Sequence, residues 1–128
     1  MREAIKEAEL GLSEGGVPIG SVLVLEGKII GRGRNQRVQK HSVILHAEMD
    51  AIENAGQRTP EEYQRSIMYT TLSACQMCSG TIVYLGIRTV VMAENENARG
   101  AEEFLKEHNV ELINLDLSEM KELLRSNR

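Results

Sequence analysis

The sequence predicts an α/β protein, a three-layer α/β/α sandwich on a mixed five-stranded sheet. Short β-branched runs alternate along the chain with stretches whose apolar residues recur at helical spacing. Only the turn Glu26-Gly27-Lys28 separates the first two runs, so they form an antiparallel hairpin. Helices separate the later runs, and strands joined that way pair in parallel. A length of 128 residues suits one domain over 1–128, which buries about two-thirds of its unfolded surface without staples.

Residues 2–14 place Ala4, Ile5, Ala8 and Leu12 on one helical stripe with charges opposite. Gly15-Gly16 stops that helix, because glycine takes the left-handed cap conformation at little cost. Residues 17–25 are apolar and β-branched, a buried strand whose Pro18 sits near the start, where a missing N–H matters least. Residues 28–34 form the second strand, and the polar residues 34–42 a loop. Ala47, Ala51, Ile52 and Ala55 mark a helix over 46–55, with Gly56 as its stop. The polar stretch Thr59-Pro60-Glu61-Glu62 connects to a strand over 66–72. A helix of small and apolar residues follows over 74–85, then a buried strand over 88–93, a helix over 101–107 and a strand over 110–115. Over 116–125, Leu117, Met120, Leu123 and Leu124 form the stripe of a closing helix, with Asp116…Glu119 as its capping box. No repeat, low-complexity tract or linker interrupts this order.

Composition excludes several classes. The net charge is −4 and the pI about 5.4, which opposes long-range attraction to a polyanion while leaving room for a local basic patch. Only Tyr63, Tyr69, Tyr84 and Phe104 could stack on bases, so nucleic acid is an unlikely partner. No run approaches the roughly 20 apolar residues of a membrane span. The first residues are charged from Arg2 onward with no apolar signal core, so the expected location is the cytoplasm. Two nearby cysteines in a reducing compartment favour metal or redox chemistry over a disulfide.

The constellation that carries chemistry is His46-Ala47-Glu48 together with Cys75-Gln76-Met77-Cys78. Cysteines three apart on a helix share a face, so both sulfurs can reach one metal, with His46 as a third ligand from another element. One nitrogen and two sulfurs suit zinc and leave a fourth position for water, the mark of a catalytic rather than a structural site. His41 and His108 lie at no ligand spacing and are expected at the surface, and the methionines are expected in packing. His46 and Glu48 would face about 200° apart on a regular helix. They converge if His46 sits at the helix N-terminus, where both side chains reach past the helix end. Two helix N-termini aimed at the metal would then favour thiolates and an anionic hydroxide. A carboxylate that is not a ligand would move the water's proton. Each residue also has a plainer reading. Cys75 and Cys78 could be a redox pair or two small buried hydrophobes, and Glu48 could merely favour its first helical turn.

The pattern H-x-E…P-C-x-x-C is that of the zinc nucleobase deaminases, with Ala74 standing where the pattern has proline. Alanine is a good helix former, and the change removes no ligand. The chain resembles the cytidine-deaminase-like superfamily, and within it the fungal and bacterial cytosine deaminases that act on the free base. The resemblance runs from about Glu9 to Leu115. It includes Glu14-Gly15-Gly16-Val17-Pro18-Ile19-Gly20, Gly31-Arg32-Gly33-Arg34-Asn35, Leu45-His46-Ala47-Glu48, the stretch from Tyr69 to Cys78, and Glu94-Asn95. It implies a zinc-dependent homodimer that hydrolyses an exocyclic amine. His46, Cys75 and Cys78 would be the ligands, and Glu48 the proton shuttle for a zinc-bound hydroxide. Asn35 would bind the pyrimidine edge with its side chain and Ala47 with its backbone, although Asn35 could equally cap a turn.

Departures from the family pattern bear on the substrate. Relatives place an aromatic residue after the Glu-Asn segment, where this chain reads Asn97-Ala98-Arg99. They also carry a tail with a tryptophan that this sequence lacks, and a pocket phenylalanine that Val38 replaces. A more open, less aromatic pocket is expected. The expected reaction is cytosine to uracil and ammonia. The alternatives are deamination of isocytosine, a purine base, a pterin or a nucleoside, of adenosine in tRNA, or a non-catalytic zinc-stabilised interaction domain.

Overall fold

The structure, a computed structural model, describes residues 1–127. The elements in chain order are α1 (Arg2–Ser13), β1 (Gly20–Leu25), β2 (Lys28–Arg34), α2 (Ala47–Ala55), α3 (Pro60–Gln64), β3 (Ser66–Thr70), α4 (Gln76–Leu85), β4 (Thr89–Met92), α5 (Glu102–Glu107), β5 (Glu111–Asn114) and α6 (Ser118–Arg125). The five strands form one mixed sheet in the order β2-β1-β3-β4-β5. The hairpin β1–β2 is antiparallel, and β3, β4 and β5 pair in parallel, as expected.

One pairing differs from the sequence expectation. β3 follows a helix but lies antiparallel beside β1 rather than parallel beside β2. It runs in the same direction as β2, on the far side of β1, so the crossover passes over the hairpin's inner strand. This places the end of β3, and the turn after it, next to α2.

Helices cover both faces. Leu23, Met68, Val90 and Leu112 form a continuous row across β1, β3, β4 and β5. The row belongs to the larger core, which Ala55, Tyr63, Cys78, Ile82 and Leu105 complete from α2 to α5. On the opposite face Ala8, Ala93 and Met120 join α1 and α6 to the sheet. Gly31 and Gly33 of β2 lie directly beneath α2. A Cβ at Gly31 would lie 2.2 Å from the Ala51 carbonyl oxygen, and one at Gly33 would lie 2.3 Å from the Ala51 nitrogen. Glycine at both positions lets α2 settle onto the strand, which sets the height of its N-terminus above the sheet.

Several local boundaries shift for identifiable reasons. The strand expected from residue 17 begins at Gly20, because the Ile19 N–H turns back to the Val17 carbonyl at 2.8 Å. β3 ends at Thr70 rather than Leu72. The connection at Thr59 is a helical turn, α3, with a full capping box between Thr59 and Glu62 and Pro60 at its first position. The capping box expected at Asp116…Glu119 does not form. Asp116 has φ +54° and Leu117 is the N-cap, so the Asp116 carboxylate is not placed to receive the helix N–H groups.

Arg34, at the end of β2, fastens α1 to the sheet by ion pairs to Glu7 at 2.8 Å and Glu14 at 2.9 Å. Hydrogen bonds from Arg34 and Gln39 hold the Glu14 carboxyl down to about 2, against an ordinary value of 4.5. A group whose folded pKa is depressed contributes stability above its unfolded pKa and loses it as pH falls through the folded one. Stability should therefore decline between about pH 4.5 and pH 2, and Arg34→Met should flatten that limb of an acid denaturation curve.

Candidate active site

The N-termini of α2 and α4 converge at the edge of the sheet where β1 and β3 meet. His46 is the N-cap of α2 with φ −64° and ψ 163°, and Cys75 is the N-cap of α4 with φ −66° and ψ 176°. Extended backbone at both caps turns each side chain past its helix end instead of along its flank. Cys75 therefore precedes the helix that the sequence placed over 74–85, while Cys78 lies within its first turn. The expected position of His46 at a helix N-terminus, which reconciles it with Glu48, is what the structure shows.

His46 Nδ1 lies 3.3 Å from Cys75 Sγ and 3.7 Å from Cys78 Sγ. All three donor atoms fall within 4.8 Å of one another. Ligands at zinc distances of about 2.05 Å for nitrogen and 2.3 Å for sulfur, at tetrahedral angles, stand about 3.6 Å apart. Both observed separations bracket that figure, and the donor set is the nitrogen–sulfur set that zinc prefers. His46, Cys75 and Cys78 are thus positioned to hold a zinc ion. Burial, and secondly the charge of Arg37, lower the His46 pKa and favour the neutral imidazole that a metal requires. Burial pushes the Cys78 thiol strongly up, the Glu48 and Cys75 charges add to this, and the Met49 N–H opposes it. A dication among these groups reverses that balance and makes the thiolate the favoured form.

Glu48 is 4% exposed and stands on the first turn of α2. Desolvation pushes its carboxyl up to about 7, opposed by its own backbone N–H and by the neighbouring polar Cys78 and Thr70 side chains. Thr70 is itself fixed, accepting from Ser21 Oγ at 2.9 Å and donating to the Leu72 carbonyl at 3.2 Å. A buried carboxyl poised near neutrality, beside a metal-binding set, can take up and release protons.

A cavity of about 280 Å³ opens onto this group. Asn35, Ala47, Glu48, His46 and Cys75 line it together with Ser73, Arg37, Arg99 and the backbone around Ala98 and Gly100. None of its lining residues is aromatic apart from the His46 ring, in keeping with the expected less aromatic pocket. Val38 does not line it and is about half exposed. Asn35 is buried and makes the turn that its plainer reading anticipated, with Oδ1 accepting the Arg37 N–H at 2.9 Å. Among the described residues no protein group takes its Nδ2. Ala47 is fully buried at the first position of α2. His41 and His108 are exposed, as expected. Thr70, Ser73, Arg37 and Arg99 were not singled out from the sequence.

Comparison with known proteins agrees with this geometry. The family model described as "Cytidine and deoxycytidylate deaminase zinc-binding region" matches residues 1–94. The chain is 45% identical to a cytosine deaminase of Candida albicans over 97% of its own length and 83% of that protein's. It is 40% identical to a tRNA-specific adenosine deaminase of Streptococcus pyogenes over 80% of its length, spanning 65% of that relative. A solved structure from a study of A-to-I editing by tRNA:A34 deaminases superposes with a TM-score of 0.83 at 32% identity, covering 97% of each chain. The chain belongs to the cytidine and deoxycytidylate deaminase zinc-binding family, and it is a zinc-dependent hydrolytic deaminase.

Proposed function

We propose that the enzyme deaminates a free amino-heterocycle, with cytosine converted to uracil and ammonia. The observation that carries this reading is a small cavity ending on a buried carboxylate beside the metal-binding set. A dry cavity of about 150 Å³ holds a benzene ring, so roughly 280 Å³ suits one heterocycle and its departing group. The similarity to the Candida albicans cytosine deaminase, which extends over most of both chains, supports cytosine within that class.

His46, Cys75 and Cys78 would hold the zinc. Bound there, it would supply Lewis acidity, bringing the pKa of a water toward about 7. A Glu48 carboxylate oxygen accepts the proton of the attacking water and delivers it to the ring nitrogen beside the amine-bearing carbon. The same carboxylate then carries the second proton to the exocyclic nitrogen, so ammonia leaves and a carbonyl remains. Asn35 Nδ2 and the Ala47 N–H donate to the polar edge of the ring and hold that carbon in place.

Residues 1–128 act as one domain in this reading, and the protein is a cytoplasmic homodimer. Val43 and Ile44, exposed beside the His46 turn, support the dimer, as does exposed Tyr84 on α4. No helix among the described residues is long and apolar enough to cross a membrane. The reading of a tRNA adenosine deaminase has its own support in the relatives and the superposed structure. The net charge of −4 and the scarcity of aromatic side chains weigh against it, because RNA binding draws on phosphate neutralisation and stacking.

Ammonia release from the zinc-loaded enzyme should be measured with cytosine, isocytosine, guanine, a pterin, cytidine and an anticodon stem-loop. Cytosine should be turned over fastest. Turnover of another ring with cytosine inert would reassign the pocket, and turnover of the stem-loop alone would establish the tRNA reading.

A further inference from the structure

We propose that Glu102, acting through Ser73, is a positioning residue that sets the wall of the substrate cavity. One wall of the cavity is formed by Ala98, Arg99 and Gly100. Ala98 and Gly100 offer almost no side chain, so the backbone itself forms much of this wall, and what fixes the backbone fixes the cavity. Glu102 lies at the first position of α5 and is 6% exposed. Its Oε2 accepts from Ser73 Oγ at 2.7 Å and from Asn95 Nδ2 at 3.1 Å. Ser73 Oγ in turn accepts the Gly100 N–H at 2.9 Å. A chain of donors, Gly100 to Ser73 to Glu102, therefore ends on a buried carboxylate, where each bond polarises the next.

Two further bonds bind the same segment to the strand-to-helix turn that delivers Cys75. The Ser73 N–H donates to the Glu94 carbonyl at 3.0 Å, and the Ala101 N–H donates to the Ala74 carbonyl at 3.0 Å. The approach is close enough that a Cβ at Gly100 would lie 1.9 Å from the Ala74 carbonyl oxygen. Arg99 contributes little to this anchor. Its guanidinium pairs with Glu103 at 2.6 Å and stands 3.7 Å from the other Glu102 oxygen, and it is half exposed. Glu102 touches neither the metal-binding set nor the cavity, so its effect passes through Ser73 and Gly100.

Neither Ser73 nor Gly100 is hydrogen-bonded to Glu48, so the wall takes no part in the proton transfers. Displacing it weakens the ground state and the transition state alike, which raises KM and leaves kcat nearly unchanged. This expectation rests on the cavity being the substrate site. Turnover of cytosine by the unmodified enzyme checks that premise separately.

The test compares Glu102→Ala, Ser73→Ala, their double variant and Glu102→Gln, each zinc-loaded, in two measurements. Hydrogen exchange at the Gly100 amide should accelerate at least about tenfold in both alanine variants, because its acceptor is lost or released. KM for cytosine should rise about tenfold to a hundredfold with kcat within about threefold. The double variant should be no worse than the worse single one, and Glu102→Gln, which keeps an acceptor for the Ser73 hydroxyl, should restore most of KM. Exchange at Gly100 unchanged in folded Glu102→Ala would overturn the proposal even if cytosine proved not to be the substrate. Faster exchange with unchanged KM would overturn it as well. Should Glu102→Ala fail to fold, Glu102→Gln and Ser73→Ala decide the matter by the same two measurements.

Discussion

Glu48→Gln should retain zinc and fold while losing about a hundredfold to ten-thousandfold in kcat, the range that general acid–base catalysis supplies. Glutamine keeps the shape and the neutral polarity of the protonated acid, so the polar groups around it keep a partner after the change. It cannot accept and return a proton. Thermal stability should stay the same or rise, because desolvation already disfavours the charged form of this buried group. Zinc content by elemental analysis, melting temperature and ammonia release on the same preparation check the three parts. Near-normal turnover in the variant would remove Glu48 from the mechanism.

Replacing Cys75 or Cys78 by alanine should lose metal and stability together. The three donors come from two elements, so an ion held among them ties α2 to α4 across the edge of the sheet. A ligand that binds only the folded state stabilises it by about 4 kcal/mol when present at a thousandfold over its Kd. For a chain of this size that corresponds to roughly 10 to 20 °C in Tm. Wild-type protein stripped with a chelator should fall to the melting temperature of the Cys75→Ala variant, and added zinc should restore only the wild type. Cys78→Ala should melt lower still, because Cys78 is also fully buried in the larger core and its loss leaves a cavity. Full zinc occupancy in a stable Cys75→Ala protein would contradict this assignment.

Much of this molecule was legible before any coordinates. The helical stripe of Ala4, Ile5 and Ala8, the hairpin about Gly27, and the glycine stops after α1 and α2 all lie within a few residues of where periodicity and turn chemistry place them. The zinc-binding set was equally legible, because metal ligation demands particular donor types at a short list of spacings. Boundaries that hang on single hydrogen bonds were not. The helix that Thr59 and Glu62 cap reads in the sequence as a polar connection, because its five residues are too few to display a period. Asp116 and Glu119 show the same spacing without the cap, because a positive φ at Asp116 makes Leu117 the N-cap.

Residue identity and spacing by themselves determined the α/β class, the ligand types and the carboxylate beside them, since these follow from local periodicity and from the donor chemistry of histidine, cysteine and glutamate. Only the tertiary structure decided that β3 inserts beside β1, that Glu48 is buried against Thr70, and that Ser73, Gly100 and Glu102 join into one chain of hydrogen bonds. Those contacts unite residues about 30 positions apart or more in several cases, and no short-range pattern specifies which distant polar groups will meet once the apolar faces have closed.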